Sequence, residues 1–276
     1  MLNRFSFFSK GFAVAAILAL VSADTVSAQA VGDIRVEVVN EGNSDFGFAP
    51  VWFGFHNGSF DTFDIGGTAS AGLEDIAEIG NATVFNGEFA AGPGTPGNIQ
   101  GVVAGPGPIP TGTSATGFVT PLNPANYQYL NVAGMLLASN DLFFGNENPL
   151  AYQVFDSTGA INDSSGVFEI AVFSNSIYDA GTEVDDASLS GGAAGLVGAV
   201  ATAGADENGV VTLATQSDLD TFNGAQLGFG GVLNDTDFGA GRVATIRVSL
   251  VTVPEPGSML LVAAIGGIAT VRRRRR

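Results

Sequence analysis

Ile34-Arg35-Val36-Glu37-Val38 alternates apolar and charged residues, and Ala244-Thr245-Ile246-Arg247-Val248-Ser249-Leu250 repeats the pattern near the other end of the chain. A period of two sets one face of an extended segment against a core and the other in water, so both stretches predict half-buried strands. The domain therefore opens and closes on strands. Between them, residues 51–55, 83–89, 115–120, 127–137, 151–155, 167–173 and 210–214 predict further short strands. Their number and spacing predict an all-β fold, an antiparallel β-sandwich. Residues 72–79 carry Leu73, Ile76 and Ala77 at helical spacing and predict the one short helix. Residues 91–113 are broken by Pro-Gly and Gly-Pro steps and predict a long exposed loop. No internal linker divides residues 31–252, which read as a single domain.

Both ends lie outside that domain. Arg4 and Lys10 precede an apolar stretch over residues 12–21, and Val26-Ser27-Ala28 offers a small-residue cleavage site. Residues 1–28 thus predict a secretory signal peptide, with a cut after Ala28 or, alternatively, after Ala30. At the other end, Pro254-Glu255-Pro256 leads into an apolar run over residues 259–271 and then five arginines, 272–276. The run is shorter than the roughly 20 residues a comfortable membrane-spanning helix needs, and the arginines would stay cytoplasmic. The order of triplet, short helix and basic cluster resembles the PEP-CTERM sorting signal of Gram-negative bacteria, here over residues 254–276. That resemblance implies export and processing by an exosortase at the Pro-Glu-Pro triplet, so that the inner membrane is met only transiently. A C-terminal anchor that is retained is the alternative. Either puts the body outside the cytoplasm.

Removing the ends leaves Arg35, Arg242 and Arg247 as the only basic residues of the body, against nearly all of the 27 acidic ones. Nucleic acid and anionic lipid are poor partners for such a surface, because binding them requires clustered Lys or Arg. Divalent cations are its natural counter-charge. The chain has no cysteine, so an exported domain of this composition depends on a packed core or a bound metal rather than on disulfides.

Three stretches resemble the spondin domain, an extracellular module of animal matrix proteins and bacterial exported proteins. The first is Pro50-Val51-Trp52-Phe53-Gly54-Phe55-His56-Asn57-Gly58-Ser59-Phe60-Asp61-Thr62-Phe63-Asp64, followed by the acidic helical segment around Leu73-Glu74 and Ala77-Glu78. The second is Leu136-Leu137-Ala138-Ser139-Asn140-Asp141-Leu142-Phe143-Phe144-Gly145, and the third Tyr178-Asp179-Ala180-Gly181-Thr182-Glu183 followed by Asp185. The resemblance implies a β-sandwich similar to calcium-dependent membrane-binding domains, with a calcium site built from Asp141, Asp179 and Glu183. The family's animal members carry Asp at the last position, one methylene shorter than Glu183. The residue types agree with that chemistry: calcium takes hard oxygen ligands from several loops, and Gly181 would let the chain turn so that two carboxylates face one ion.

Other candidates read as structure. Asp206-Glu207-Asn208-Gly209 predicts a turn with positive backbone dihedrals. Asp235 and Asp237, and Asp61 and Asp64 beside Phe60 and Phe63, predict loops and turns, and His56, the single histidine, a satisfied turn residue. No G-x-S-x-G and no cysteine are present, so the usual nucleophilic triads lack their parts. A pair of carboxylates could hydrolyse glycosides, but no independent motif selects one. No catalytic residue is assigned, and a non-enzymatic role is expected. The expected role is a calcium-binding adhesion module at the cell surface or in extracellular matrix, with exopolysaccharide or another surface protein as its partner. The alternatives are a metal-independent structural component of envelope or biofilm, and a carbohydrate-binding module. The last would need exposed aromatics, whereas Trp52, Tyr127, Tyr129 and Tyr152 sit in strand patterns and predict core packing.

Overall fold

In the computed structural model, which describes residues 33–95, 99–120, 123–188 and 204–251, the alternating stretches form β1 (Ile34–Asn40) and β11 (Arg242–Leu250). They pair antiparallel from Ile34↔Leu250 to Asn40↔Ala244, so the first and last strands of the domain are neighbours. The remaining strands are β2 (Gly47–Phe48), β3 (Val51–His56), β4 (Gln100–Val103), β5 (Ser114–Val119), β6 (Tyr129–Leu137), β7 (Leu142–Gly145), β8 (Val167–Phe173), β9 (Ile177–Asp179) and β10 (Thr212–Leu213). They make two antiparallel sheets. The smaller has the order β5-β1-β11-β8, and the larger β10-β9-β7-β6-β3-β4, with β2 also on β6.

The pattern of each strand follows from what covers it. In β1, Ile34, Val36 and Val38 are fully buried between the sheets, while Arg35, Glu37 and Val39 stand on the outer face. Every residue of β3 is buried, because its two faces meet two cores. Val51, Phe53 and Phe55 join the inter-sheet core, whereas Trp52 enters a second cluster with Phe60, Phe63, Leu73, Ile76, Phe85 and Phe89. The structure is a β-sandwich whose larger sheet carries helices on its outer side. At ~25 cal/mol per Å² of apolar surface, burial of this kind is the main favourable contribution to folding.

Residues 83–89, expected as a strand, form helix α2 (Thr83–Ala91), which follows α1 (Ala71–Ile79). The reason is tertiary. Phe85 and Phe89 lie four residues apart, hence on one helical face, and both meet the Trp52 ring edge-on at centroid distances of 4.6 and 5.3 Å. Local bonding agrees: Asn81 Oδ1 accepts from Thr83 N–H at 3.0 Å, and Glu88 of α2 accepts from Gly72 N–H at the start of α1 at 2.8 Å. A third helix, α3 (Gln216–Thr221), was not expected either; Asp218 accepts from the N–H of Thr215 at its start, half of the reciprocal T-x-x-D capping pattern. Among the described residues three short helices therefore replace the single one expected.

The stretch 91–113 is likewise not one exposed loop. β4 lies inside it, paired with β3 from Val51↔Val103 to Gly54↔Gln100, and buried Ile109 bridges to Phe48. Residues 151–155 form only isolated bridges, Tyr129↔Gln153 and Phe155↔Ile161, rather than a strand. The expected signal peptide, residues 1–28, and the Pro254-Glu255-Pro256 tail lie outside the described residues.

Candidate metal centre at the edge of the larger sheet

Asp141 ends the short connection that follows β6, and Asp179 ends β9. Pairing of β7 with β9, Leu142↔Asp179 to Phe144↔Ile177, brings the two together. After Asp179 the chain turns at Gly181, whose φ of 67° is in the left-handed region. A Cβ there would lie 2.6 Å from Val210 O, so only glycine fits. The turn aims backbone donors at Asp141: its Oδ2 accepts from Thr182 N–H (2.8 Å), Thr182 Oγ1 (3.1 Å) and Glu183 N–H (3.1 Å). Asp179 Oδ1 accepts from Gly181 N–H at 2.6 Å. Glu183 then bridges to Asp206 in the next loop, where Asn208 has the positive φ of 56° expected for its turn.

Asp141, Asp179 and Glu183 are thus neighbours in space. Asp141 is wholly buried and Glu183 is 7 % exposed. Asp185, quoted in the motif but not assigned as a ligand, joins them. Among the described residues three buried side-chain oxygens lack any hydrogen-bond partner: Asp141 Oδ1, Glu183 Oε2 and Asp185 Oδ1. All are carboxylate oxygens, and leaving such groups unpaired is costly. Burial, and then repulsion from Asp141, push Asp179 up to about 6. Burial, and then Asp179 and Asp141, push Asp185 up to about 8. Burial also raises Asp141 and Glu183. Glu78, from the last turn of α1, is driven to about 7 by burial, with Glu183, Glu74 and Asp141 adding to the effect. The sequence signal for Asp185 and Glu78 was their place in the quoted motifs. Nothing in the spacing separated them from the chain's other acidic residues.

No cation of the body answers this charge. Arg35, Arg242 and Arg247 all stand on the smaller sheet, where they pair with Glu37 and Glu169 at 2.7–3.6 Å. A divalent cation fits the donor set, since every available group is a hard oxygen and no thiol or free imidazole competes. Among the described residues no group of three or more His, Cys, Asp or Glu side chains is placed to hold a metal ion. Asp141 Oδ2 and Asp179 Oδ1 are spent on backbone N–H groups, which fix the two carboxylates and leave their other oxygens for a ligand.

The other acidic candidates are turns. Asp235 Oδ1 accepts from Asp237 N–H and Asp237 Oδ1 from Gly239 N–H. Phe63, between Asp61 and Asp64, packs edge-on against Phe143 and Tyr178. Trp52 is enclosed, with Nε1–H donated towards Asn86 Oδ1 and Gln100 Oε1, and cannot stack on a sugar.

His56, expected as a satisfied turn residue, ends β3 fully buried. Gly58 N–H donates to its Nδ1 at 3.0 Å, so the ring proton sits on Nε2 and is donated to Asn131 Oδ1 at 3.1 Å. Burial lowers its pKa. Because the folded value lies below the unfolded 6.5, this contribution to stability is complete above pH 6.5 and is lost as pH falls through the folded value. NMR titration of the ring is expected to show one neutral Nε2–H tautomer persisting below pH 6.5; a normal titration there would contradict the assigned network.

The PEP-CTERM protein-sorting motif matches residues 252–276, which include the triplet, the apolar run and the arginines. The motif indicates an exported protein targeted to an exosortase and sorted to the cell surface. No curated protein matches the chain.

Proposed function

We propose that the body is a spondin-like, calcium-binding adhesion module, delivered to the cell surface or extracellular matrix, where it engages exopolysaccharide or another surface protein. The observation that carries this reading is the set of three buried, unpartnered carboxylate oxygens in a domain whose arginines are all committed elsewhere. Asp141, Asp179, Glu183 and Asp185 would hold the ion. Calcium, which takes six to eight oxygens, supplies the positive charge that the site lacks. The protein's own part is to fix the carboxylates: the Gly181 turn and the β7–β9 pairing bring loops distant in sequence to one end of neighbouring strands. The domain is then a rigid platform stabilised by the ion, and no residue is required to do chemistry on a substrate.

Thermal unfolding of the exported protein tests the reading. An ion that binds only the folded state at 100 times its Kd adds ~2.7 kcal/mol, which for a domain of this size is roughly 5–10 °C in midpoint. The expected result is a rise of that order in calcium over chelator. Equal midpoints would leave the metal-independent structural component as the reading.

A further inference from the structure

β8 is an edge strand of the smaller sheet. Its backbone can be assigned residue by residue. Beyond the ends of the β1–β11 ladder, Glu41 N–H donates to Val243 O and Val251 N–H to Asp33 O, at 3.3 and 2.8 Å. Odd-numbered residues of β11 therefore bond β1, and Ala244, Ile246 and Val248 face β8. Their partners are Val172, Ile170 and Phe168. Glu169 and Ala171 consequently direct N–H and C=O away from β11, towards an edge with which no other described strand pairs.

Most of the devices that usually blunt an edge are missing from β8 itself, and the one irregularity of its ladder is a register shift in neighbouring β11 between Arg242 and Ala244. The strand Val-Phe-Glu-Ile-Ala-Val-Phe has no proline, lysine or glycine, and Phe173 at its end is 41 % exposed. Its one charge is only partly offset, since Glu169 on the outer face accepts from Arg242 Nη1 at 2.7 Å and Arg247 Nε at 3.1 Å in solvent-exposed pairs. All three arginines of the body stand on this sheet, so it is the face where a second acidic copy meets least repulsion.

We infer that β8 is a self-association edge, pairing antiparallel with β8 of a second copy about a two-fold axis at Ile170. In that register Glu169 lies opposite the partner's Ala171, and the outward N–H and C=O groups of both residues are satisfied. Phe168 meets Val172, and Phe173 meets Val167, so apolar residues oppose each other on both faces. Centring the axis on Glu169 instead would oppose two carboxylates, and centring it on Ala171 would set Glu169 against Phe173 and leave Val167 without a partner in the strand; the Ile170 register, at the middle of Val167–Phe173, avoids both. The result is one eight-stranded sheet built from two four-stranded ones, isologous and closed, so that association stops at the dimer.

Sedimentation velocity of the exported protein in chelator, from nanomolar to high micromolar concentration, tests this. The expected result is a reversible monomer–dimer equilibrium. Ala171→Glu sets two like-charged pairs across the axis and is expected to weaken the dimer about tenfold, whereas Ala171→Lys, opposite Glu169, strengthens it. Ala171→Pro removes an outward N–H without touching the bonds to β11 and is expected to abolish it. A parent protein monomeric at every concentration would overturn the inference. So would a dimer equally stable in the Glu and Lys variants, a result that also decides the matter should the proline variant not fold.

Discussion

Asparagine in place of Asp141 should abolish the calcium-dependent rise in melting temperature and yield a protein that, in chelator, melts several degrees above the parent. The substitution keeps one role and deletes the other. An amide oxygen can accept from Thr182 N–H, Thr182 Oγ1 and Glu183 N–H as Oδ2 does, so the turn retains its anchor. The amide nitrogen replaces the unpartnered Oδ1 and is a donor facing acceptors. It also removes the charge that repels Asp179 and Asp185. Stability lost when calcium can no longer bind and stability gained in its absence are opposite in sign. Scanning calorimetry of parent and variant, each with calcium and with chelator, separates them. A variant less stable in chelator that still responds to calcium would show that Asp141 only anchors the turn.

Gly181→Ala is expected to cost about 3 kcal/mol, through left-handed backbone strain and overpacking together. Its φ is 67°, and the added methyl would meet Val210 O and Val210 N at 2.6 and 2.7 Å, both backbone atoms that cannot swing aside. The damage should concentrate at the site. Gly181 O accepts from Gly209 N–H at 2.7 Å, so displacing the turn also displaces the loop holding Asp206 and Glu207. Urea unfolding should show the loss of stability together with a loss of calcium response. A change below ~1 kcal/mol would mean that the turn relaxes freely and does not fix the carboxylates.

Strands with one wet face were legible residue by residue, as in β1 and β11, where charged side chains mark the outer positions. Residues 83–89 failed for a physical reason. Phe85 and Phe89 are recruited by Trp52 from a different strand, and a local pattern of aromatics does not reveal which partner they will find. β4 was hidden because Gln100-Gly101-Val102-Val103 is short and set among Pro-Gly steps; its pairing with β3, not its own propensity, makes it a strand.

At the site, the composition announced an excess of carboxylates but not where the balancing arginines go. Their confinement to β1 and β11 is a consequence of topology. Asp141, Asp179 and Glu183 were named through the resemblance of their motifs, and strand pairing explains why residues so far apart in the chain are neighbours. Asp185 was passed over because, in sequence, it is one more acid in an acidic stretch. Its buried, unpartnered Oδ1 and its place beside Asp179 and Asp141 distinguish it in the fold.

Calcium titration of the exported protein by isothermal calorimetry, at pH 7.5 and again at pH 5.5, is the most direct test of the central claim. The folded pKa values of Asp179 and Asp185, about 6 and about 8, lie above their unfolded value. Protons therefore favour the calcium-free fold increasingly as pH falls through this interval, and the ion must displace them. The account predicts saturable binding at pH 7.5, with release of protons, and markedly weaker binding at pH 5.5. No binding at millimolar calcium and pH 7.5, or an affinity indifferent to pH, would contradict it.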